Sequence, residues 1–195
     1  MYRFVKRGID FVLALLACVI LSPIFVIIGC LIKLDSKGPV FFKQQRVGKD
    51  KRLFFMYKFR TMRVDAPKDT PTHLLQNSES YITRIGNFLR KTSLDELPQI
   101  FHIVTGKMAI IGPRPALYNQ YDLIEERDKY GANALRPGLT GLAQVKGRDE
   151  LPIEVKAAYD GEYVRKISFF SDLKIFFITI VKVLHSDGIV EGKQE

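Results

Sequence analysis

No charged residue lies between Asp10 and Lys33. The run from Phe11 to Ile32 is 22 residues long, and as a helix it would extend roughly 33 Å, enough to cross a hydrocarbon core of about 30 Å. A cleaved leader needs a shorter apolar core, of about 7–15 residues, and a small-residue cleavage site; Gly29-Cys30-Leu31 is a poor match. Two features work against a simple straight span. Ser22-Pro23 falls in the middle of the run, and a proline there removes a backbone hydrogen bond and kinks or breaks a helix. Basic residues flank both ends: Arg3, Lys6 and Arg7 before the run, and Lys33, Lys37, Lys43, Arg46, Lys49, Lys51 and Arg52 after it. The positive-inside bias draws both flanks to the cytoplasmic face. A helix bent at Ser22-Pro23 satisfies both flanks, with the Ser22 hydroxyl as a partner for a freed carbonyl. The sequence alone leaves the bent, re-entrant helix and the straight span as equal readings.

About 160 residues follow, enough for one hydrophobic core. The whole chain has 195 residues, 47% hydrophobic and 26% charged, which excludes a disordered or collagen-like chain. Two cysteines, Cys18 and Cys30, exclude a disulfide scaffold and read as small apolar residues. Three histidines, His73, His102 and His185, stand too far apart for a zinc signature. The net charge of +9 calls for an anionic partner: nucleic acid, a lipid headgroup surface or a phosphorylated substrate.

Aromatic and β-branched runs at Pro39–Arg46 and Leu53–Phe59, either side of Val47-Gly48-Lys49-Asp50, predict a β-hairpin. Asp65–Asn77, with Pro67 and Pro71, predicts a loop. Helices are expected at Tyr81–Arg90, Asp95–Val104, Ala116–Tyr130, Pro152–Arg165 and Ser171–Leu184, and short strands at Met108–Ile111 and Leu142–Val145, with 136–141 as loop. In the last helix Leu173, Phe176, Phe177, Ile180, Val181 and Leu184 form one stripe. Such a stripe reads first as a core-facing helix, the favoured case; a helix lying in a membrane interface is the alternative, which an anchored N-terminus makes more plausible than usual.

Ser93-Leu94-Asp95-Glu96-Leu97-Pro98-Gln99 is the most informative motif. Ser93 with Glu96 has the spacing of a capping box, a common helix start, although Pro98 suits only a first turn and moves the helix proper toward Glu96. Either way Asp95 and Glu96 sit at a helix N-terminus, where the dipole stabilises a carboxylate and attracts phosphate. An ionised aspartate is a competent nucleophile toward phosphorus. An adjacent glutamate suits Mg²⁺, which takes one or two carboxylates plus phosphate oxygens. Candidate phosphate-binding cations are Lys58, Arg60 and Arg63 on or after the second hairpin strand, Arg90 five residues before Asp95, Arg114 between Pro113 and Pro115, and Arg136 and Arg148 around the glycine-containing loop. Each alone reads as a solvated surface charge; their placement beside glycine and proline strengthens the joint case. A P-loop, a zinc finger and an RNA-stacking signature are all missing from the sequence.

In order along the chain come Lys6-Arg7-x-x-Asp10, the Ser22-Pro23 break, Tyr57-Lys58-Phe59-Arg60-Thr61-Met62, Ser93 to Gln99, Gly112-Pro113-Arg114-Pro115, Arg136 to Val145, and Tyr159-Asp160-x-x-Tyr163. This combination resembles the bacterial sugar transferases, the small monotopic polyprenyl-phosphate phosphoglycosyl transferases, over essentially the whole chain. The resemblance implies an α+β fold. A re-entrant membrane helix (residues 1–34) broken at Ser22-Pro23 would precede a mostly helical cytoplasmic catalytic domain (35–195), with a β-hairpin and interfacial amphipathic helices. It implies Asp95 as the nucleophile that forms a phospho-sugar intermediate, Glu96 as a Mg²⁺ ligand beside it, Arg90 on phosphate and Arg114 on the nucleotide side. Lys58, Arg60, Arg136, Gln144, Asp160 and Tyr163 match the family pattern without an assigned role. The implied reaction moves a sugar 1-phosphate from a UDP-sugar, with an N-acetylated amino sugar favoured over a neutral hexose, to polyprenyl phosphate with release of UMP. That is the first membrane step of capsule, exopolysaccharide or glycan assembly. The implied setting is the cytoplasmic face of the bacterial inner membrane, on an anionic bilayer, without nucleic acid and with a homo-oligomer left open. With no large multi-span region ahead of it, the sequence resembles the minimal catalytic form.

Two other classes of function account for parts of the sequence. A non-catalytic lipid-docking module would gain nothing from Asp95-Glu96. A membrane-anchored nucleic-acid binder accounts for the charge but not for the apolar run, and predicts steeply salt-dependent binding.

Overall fold

The computed structural model describes residues 2–67, 78–147 and 151–184; His73, His185, Arg148 and most of the expected 65–77 loop lie outside them. Helix α1 (Tyr2–Ile20) and helix α2 (Ser22–Asp35) replace one long helix and meet at a bend of 59°. Proline explains the bend at the level of single atoms. Pro23 has no N–H for the carbonyl four residues earlier, that of Val19, and the Ser22 hydroxyl donates to this carbonyl instead at 2.8 Å. No single helix among the described residues is long and apolar enough to cross a membrane; the bent pair has the length and composition of a broken span or a re-entrant loop.

Both arms of the pair pack on the rest of the chain. Ala14 of α1 joins Met56, Ile100, Ile103 and Met108 in one buried cluster; Ile28 and Ile32 of α2 join Phe59 and Leu89 in another. Arg7 donates to the carbonyls of Ile103 and Val104, at 2.6 and 3.0 Å, and so caps the C-terminus of helix α4 (Ile100–Val104), where cationic donors are favoured. The opposite sides of α1 and α2 are exposed and apolar, including Phe4, Val12, Leu16, Val19, Ile20, Val26 and Ile27.

Strands β1 (Phe41–Val47) and β2 (Leu53–Phe59) form the expected antiparallel hairpin, in register from Phe41↔Phe59 to Val47↔Leu53. The connection runs from Gly48 to Arg52, because Val47 stays in the strand, buried and donating to the Ala116 carbonyl. His102 of α4 locks β2 from behind. Its Nε2 accepts the Tyr57 N–H at 3.1 Å and its ring stacks on the tyrosine at 5.3 Å. Burial, aided by Lys107, pushes this imidazole down to about 4. An unfolded histidine takes its proton near pH 6.5, so below that pH the unfolded chain binds a proton that the folded one refuses. Thermal stability is therefore expected to fall as pH drops from about 6.5 to about 4. His102→Gln, which keeps an acceptor but cannot titrate, flattens that slope in melts recorded in detergent across the same range.

Helix α3 (Arg84–Lys91) starts at Thr83, whose hydroxyl accepts the Gly86 N–H at 3.0 Å. The expected capping box at Ser93 is not formed. Ser93 has a left-handed φ of 56° and makes no side-chain cap bond, and a 3₁₀ turn runs from Leu94 to Gln99 before α4 begins. Pro98 is tolerated in this tight turn, as it would not be in a helix interior. The Leu142–Val145 strand is also corrected. Those residues form helix α6 (Leu142–Lys146), and the strand is β4 (Gly138–Thr140), in the stretch expected as loop. It pairs in parallel with β3 (Ala109–Ile111). One helical turn is too short to reveal its period, and the buried Ala143 and Val145 alternate with Leu142 and Gln144 as in a strand. The pairing of β3 with β4 rests on bare backbone: a Cβ on Gly138 would lie 2.1 Å from the Gly112 nitrogen. Helix α5 (Tyr121–Asp128) is shorter than expected, because Leu117 bridges to Arg46 instead.

Helices α7 (Ile153–Lys166) and α8 (Phe169–Leu184) complete the chain. Asp172 of α8, buried, binds Tyr2 and Lys6 of α1, each at 2.8 Å, and Tyr163 of α7 at 2.7 Å. Ile175 faces the core, while Leu173, Phe176, Phe177, Ile180 and Val181 are exposed. The core-facing reading of that stripe is thus excluded.

Candidate functional site

The left-handed Ser93 turns the chain sharply between Arg90, at the end of α3, and Asp95, in the 3₁₀ turn. Both side chains then face the hairpin across a cavity of about 690 Å³. Lys43, Arg46, Lys58, Arg60, Arg63 and Arg90 line it, against one carboxylate, Asp95. Such a cavity concentrates anions.

Lys58 of β2 links the two acids. Its Nζ lies 2.7 Å from Glu96 Oε1 and 3.7 Å from Asp95 Oδ2. Arg114 donates to the same Glu96 oxygen at 3.0 Å. Glu96 is buried behind the cavity wall, fixed from two sides by cations. Burial pushes the Asp95 carboxyl above the usual carboxylate range; Lys58 opposes this, Glu96 adds to it, and Arg90 and Arg114 pull back. The dyad is therefore two adjacent acids, bridged by Lys58 and flanked by Arg90 and Arg114.

Among the described residues no group of three acidic, histidine or cysteine side chains could hold a metal. Asp95 and Glu96 offer oxygen donors without histidine, the donor chemistry that Mg²⁺ takes, and would be the residues to hold it.

The other sequence candidates divide. Arg60 lines the cavity but spends its terminal nitrogens on the end of α2, donating to the carbonyls of Lys37 and Ser36 at 2.6 and 2.7 Å. Arg136 and Gln144 are not among the cavity-lining residues. Arg136 donates to the Gly106 carbonyl at 2.8 Å, and Gln144 to that of Leu139 at 3.1 Å. Ser22 and Pro23 form the helix break, and Ser22 lines a second, apolar groove of about 640 Å³ with Phe25, Gly29, Val40 and Phe101. Phe41 borders both this groove and the charged cavity. Sequence reasoning missed Arg127, which is buried and bound to Asp160 at 2.7 and 2.8 Å. Its one local signal was an arginine on the helix face that also carries the buried Leu123.

The profile of the bacterial sugar transferase family matches residues 1–186. Over 188 residues the chain is 41% identical to the UDP-glucose:undecaprenyl-phosphate glucose-1-phosphate transferase of Escherichia coli K12, covering 92% of this chain and 40% of the relative. It is 36% identical to the UDP-N-acetylgalactosamine-undecaprenyl-phosphate N-acetylgalactosaminephosphotransferase of Aeromonas hydrophila, covering 96% and 45%. With the exopolysaccharide production protein ExoY of Sinorhizobium fredii the identity is 35%, covering 94% and 87%. The chain thus spans about two fifths of the E. coli relative's length and most of the Sinorhizobium one.

Proposed function

The chain belongs to the bacterial sugar transferase family, and from that premise we propose that it transfers a sugar 1-phosphate from a UDP-sugar to undecaprenyl phosphate at the cytoplasmic face of a bacterial membrane. The observation that carries the reading is the Asp95–Lys58–Glu96 arrangement, in a cation-lined cavity that shares Phe41 with an apolar groove against the bent helix pair. One substrate is soluble and the other stays in the bilayer, so the reaction centre belongs where those two environments meet. The exposed apolar faces of α1, α2 and α8 supply a surface for the membrane, and in this reading both ends of the bent pair stay on one side of it.

In this reading an Asp95 oxygen attacks the β-phosphorus of the donor. The bond from that phosphorus to the oxygen bridging it to the α-phosphorus breaks, and UMP leaves with the electron pair. Undecaprenyl phosphate then attacks the same phosphorus, releases Asp95 and forms the diphosphate-linked product. Lys58 and Arg90 keep Asp95 ionised and face the charge that develops on the phosphoryl oxygens. Arg114 and Lys58 hold Glu96 in place. Mg²⁺, held by Asp95 and Glu96, would neutralise phosphate charge when bound.

The family resemblance, not any residue of this sequence, favours an N-acetylated amino sugar; the relatives' names include both glucose and N-acetylgalactosamine. A panel of UDP-glucose, UDP-galactose and UDP-N-acetylhexosamines with undecaprenyl phosphate decides between them by UMP release and product mass. Faster turnover of the N-acetylhexosamines supports the first choice. No UMP from any donor removes the proposal, and chelation of divalent cations is expected to stop turnover. A nucleophilic Asp95 must be ionised, and its raised proton affinity places the acid limb of kcat/KM above the ordinary carboxylate range, with activity lost as pH falls. Lys58→Met removes a charge that favours ionisation and is expected to move that limb upward. An unmoved limb would count against the role given to Lys58.

A further inference from the structure

The Arg114 loop is built in an unusual way. Pro113 and Pro115 have no N–H to offer, so the backbone around Arg114 is held through its oxygens. Four consecutive carbonyls are each taken by a donor from elsewhere in the fold. Gly138 N–H reaches Pro113 O at 2.8 Å, Arg127 reaches Arg114 O at 3.0 Å, Arg46 reaches Pro115 O at 3.0 Å, and Val47 N–H reaches Ala116 O at 2.9 Å. Of the four, only the Arg127 contact falls on the residue whose side chain touches the dyad.

Arg127 is itself fixed completely. Its Nε and one terminal nitrogen bind the same Asp160 oxygen, at 2.8 and 2.7 Å, and the other terminal nitrogen holds the Arg114 carbonyl. Both partners are almost wholly buried, at 5% and 1% exposure. Removing either charge from such a pair is costly, and a pair kept only for stability is replaceable by apolar residues. Here the guanidinium also has a third hydrogen bond, aimed at a functional loop.

We infer that Arg127, oriented by Asp160, is a positioning residue that sets the Arg114 backbone so that the Arg114 guanidinium meets Glu96. The inference rests on the transfer reaction proposed above. It extends the site from α5 and α7 through the proline-flanked loop to the 3₁₀ turn: Asp160, Arg127, Arg114, Glu96, Lys58, Asp95. A guanidinium is required, because one ammonium cannot lie along Asp160 and reach the Arg114 carbonyl in the same geometry.

Arg127→Lys keeps the charge opposite Asp160 and is the discriminating variant. Full-length wild type, Arg127→Lys, Arg114→Ala and the double variant are compared by UMP release in detergent or nanodiscs, with thermal melts recorded in parallel. Arg127→Lys alone is expected to lower kcat/KM for the UDP-sugar by about 10- to 100-fold, a typical cost of misplacing a substrate-aligning group. In the Arg114→Ala background the same change is expected to cost less than about twofold, because its route to the dyad is already cut. A penalty of equal size in both backgrounds, or wild-type kinetics for Arg127→Lys, overturns the inference. A purely structural role lowers the active fraction, and so kcat, at unchanged KM in both backgrounds, which also overturns it. If Arg127→Lys does not fold, Arg127→Met with Asp160→Leu removes both charges together and enters the same cycle. Lack of UMP release by the wild type would defeat the underlying reaction instead, a separate outcome from any pattern among the variants.

Discussion

Asp95→Asn is expected to lower UMP release by about 10⁴-fold or more and to leave no sugar-phosphate adduct on the chain, the scale of loss when a covalent nucleophile is removed. The amide is nearly isosteric with the carboxylate but has no ionised oxygen to attack phosphorus. It also removes the burial penalty that raises the proton affinity of Asp95, to which the neighbouring Glu96 adds. The variant should therefore fold at least as well as the wild type, with a melting temperature unchanged or higher. That contrast separates lost chemistry from lost structure. Exchange of labelled UMP into the UDP-sugar, measured without undecaprenyl phosphate, isolates the first half-reaction. Exchange that persists in Asp95→Asn would remove residue 95 as the attacking group.

The second large effect falls on a glycine. A Cβ at Gly86 would lie 2.0 Å from the Thr61 oxygen and under 3 Å from two further backbone atoms of that residue. Neither side of this contact is a flexible side chain, so helix α3 must shift away from the end of β2. Gly86→Ala is expected to destabilise the protein by about 3 kcal/mol, the upper end for overpacking a tight contact. The same shift would withdraw Arg90 from the cavity and Leu89 from its cluster. A melting temperature within about 2 °C of wild type would mean that α3 repacks cheaply, since about 1 kcal/mol moves a domain of this size by 2–4 °C.

Local chemistry explains which parts could be read from sequence. Pro23 removes a helical hydrogen bond wherever it stands, so a bend at Ser22-Pro23 was legible as one of two equal readings, together with the hydroxyl that takes over the orphaned carbonyl. The hairpin announced itself by two aromatic strands around a glycine turn. Asp95, Glu96 and Arg114 were legible as charged residues in constrained turns, Lys58 on a hairpin strand and Arg90 at a helix end, and the fold brings all five together. What escaped depends on partners distant in sequence. Strand β4 exists only because Gly138 lets its backbone approach Gly112. Arg60 has the look of a phosphate ligand until α2 ends beside it and its carbonyls claim the guanidinium. Arg127 reads as one more charge on a polar helix until Asp160, 33 residues away, meets it. Ser93 has the spacing of a cap, but the tight reversal toward Asp95 demands a left-handed residue there.

The two buried clusters that join the bent helix pair to the rest of the molecule have a practical consequence. Met56, Ile103 and Met108 are covered by Ala14, and Phe59 and Leu89 by Ile28 and Ile32. Trimming the polypeptide ahead of Ser36 is expected to uncover an oily seam running up to the turn of the proposed nucleophile, rather than to release a well-behaved soluble protein. Under the proposed membrane setting the bent pair serves as scaffold as much as tether, so purification is expected to need it intact, with a surfactant or lipid disc from the first step.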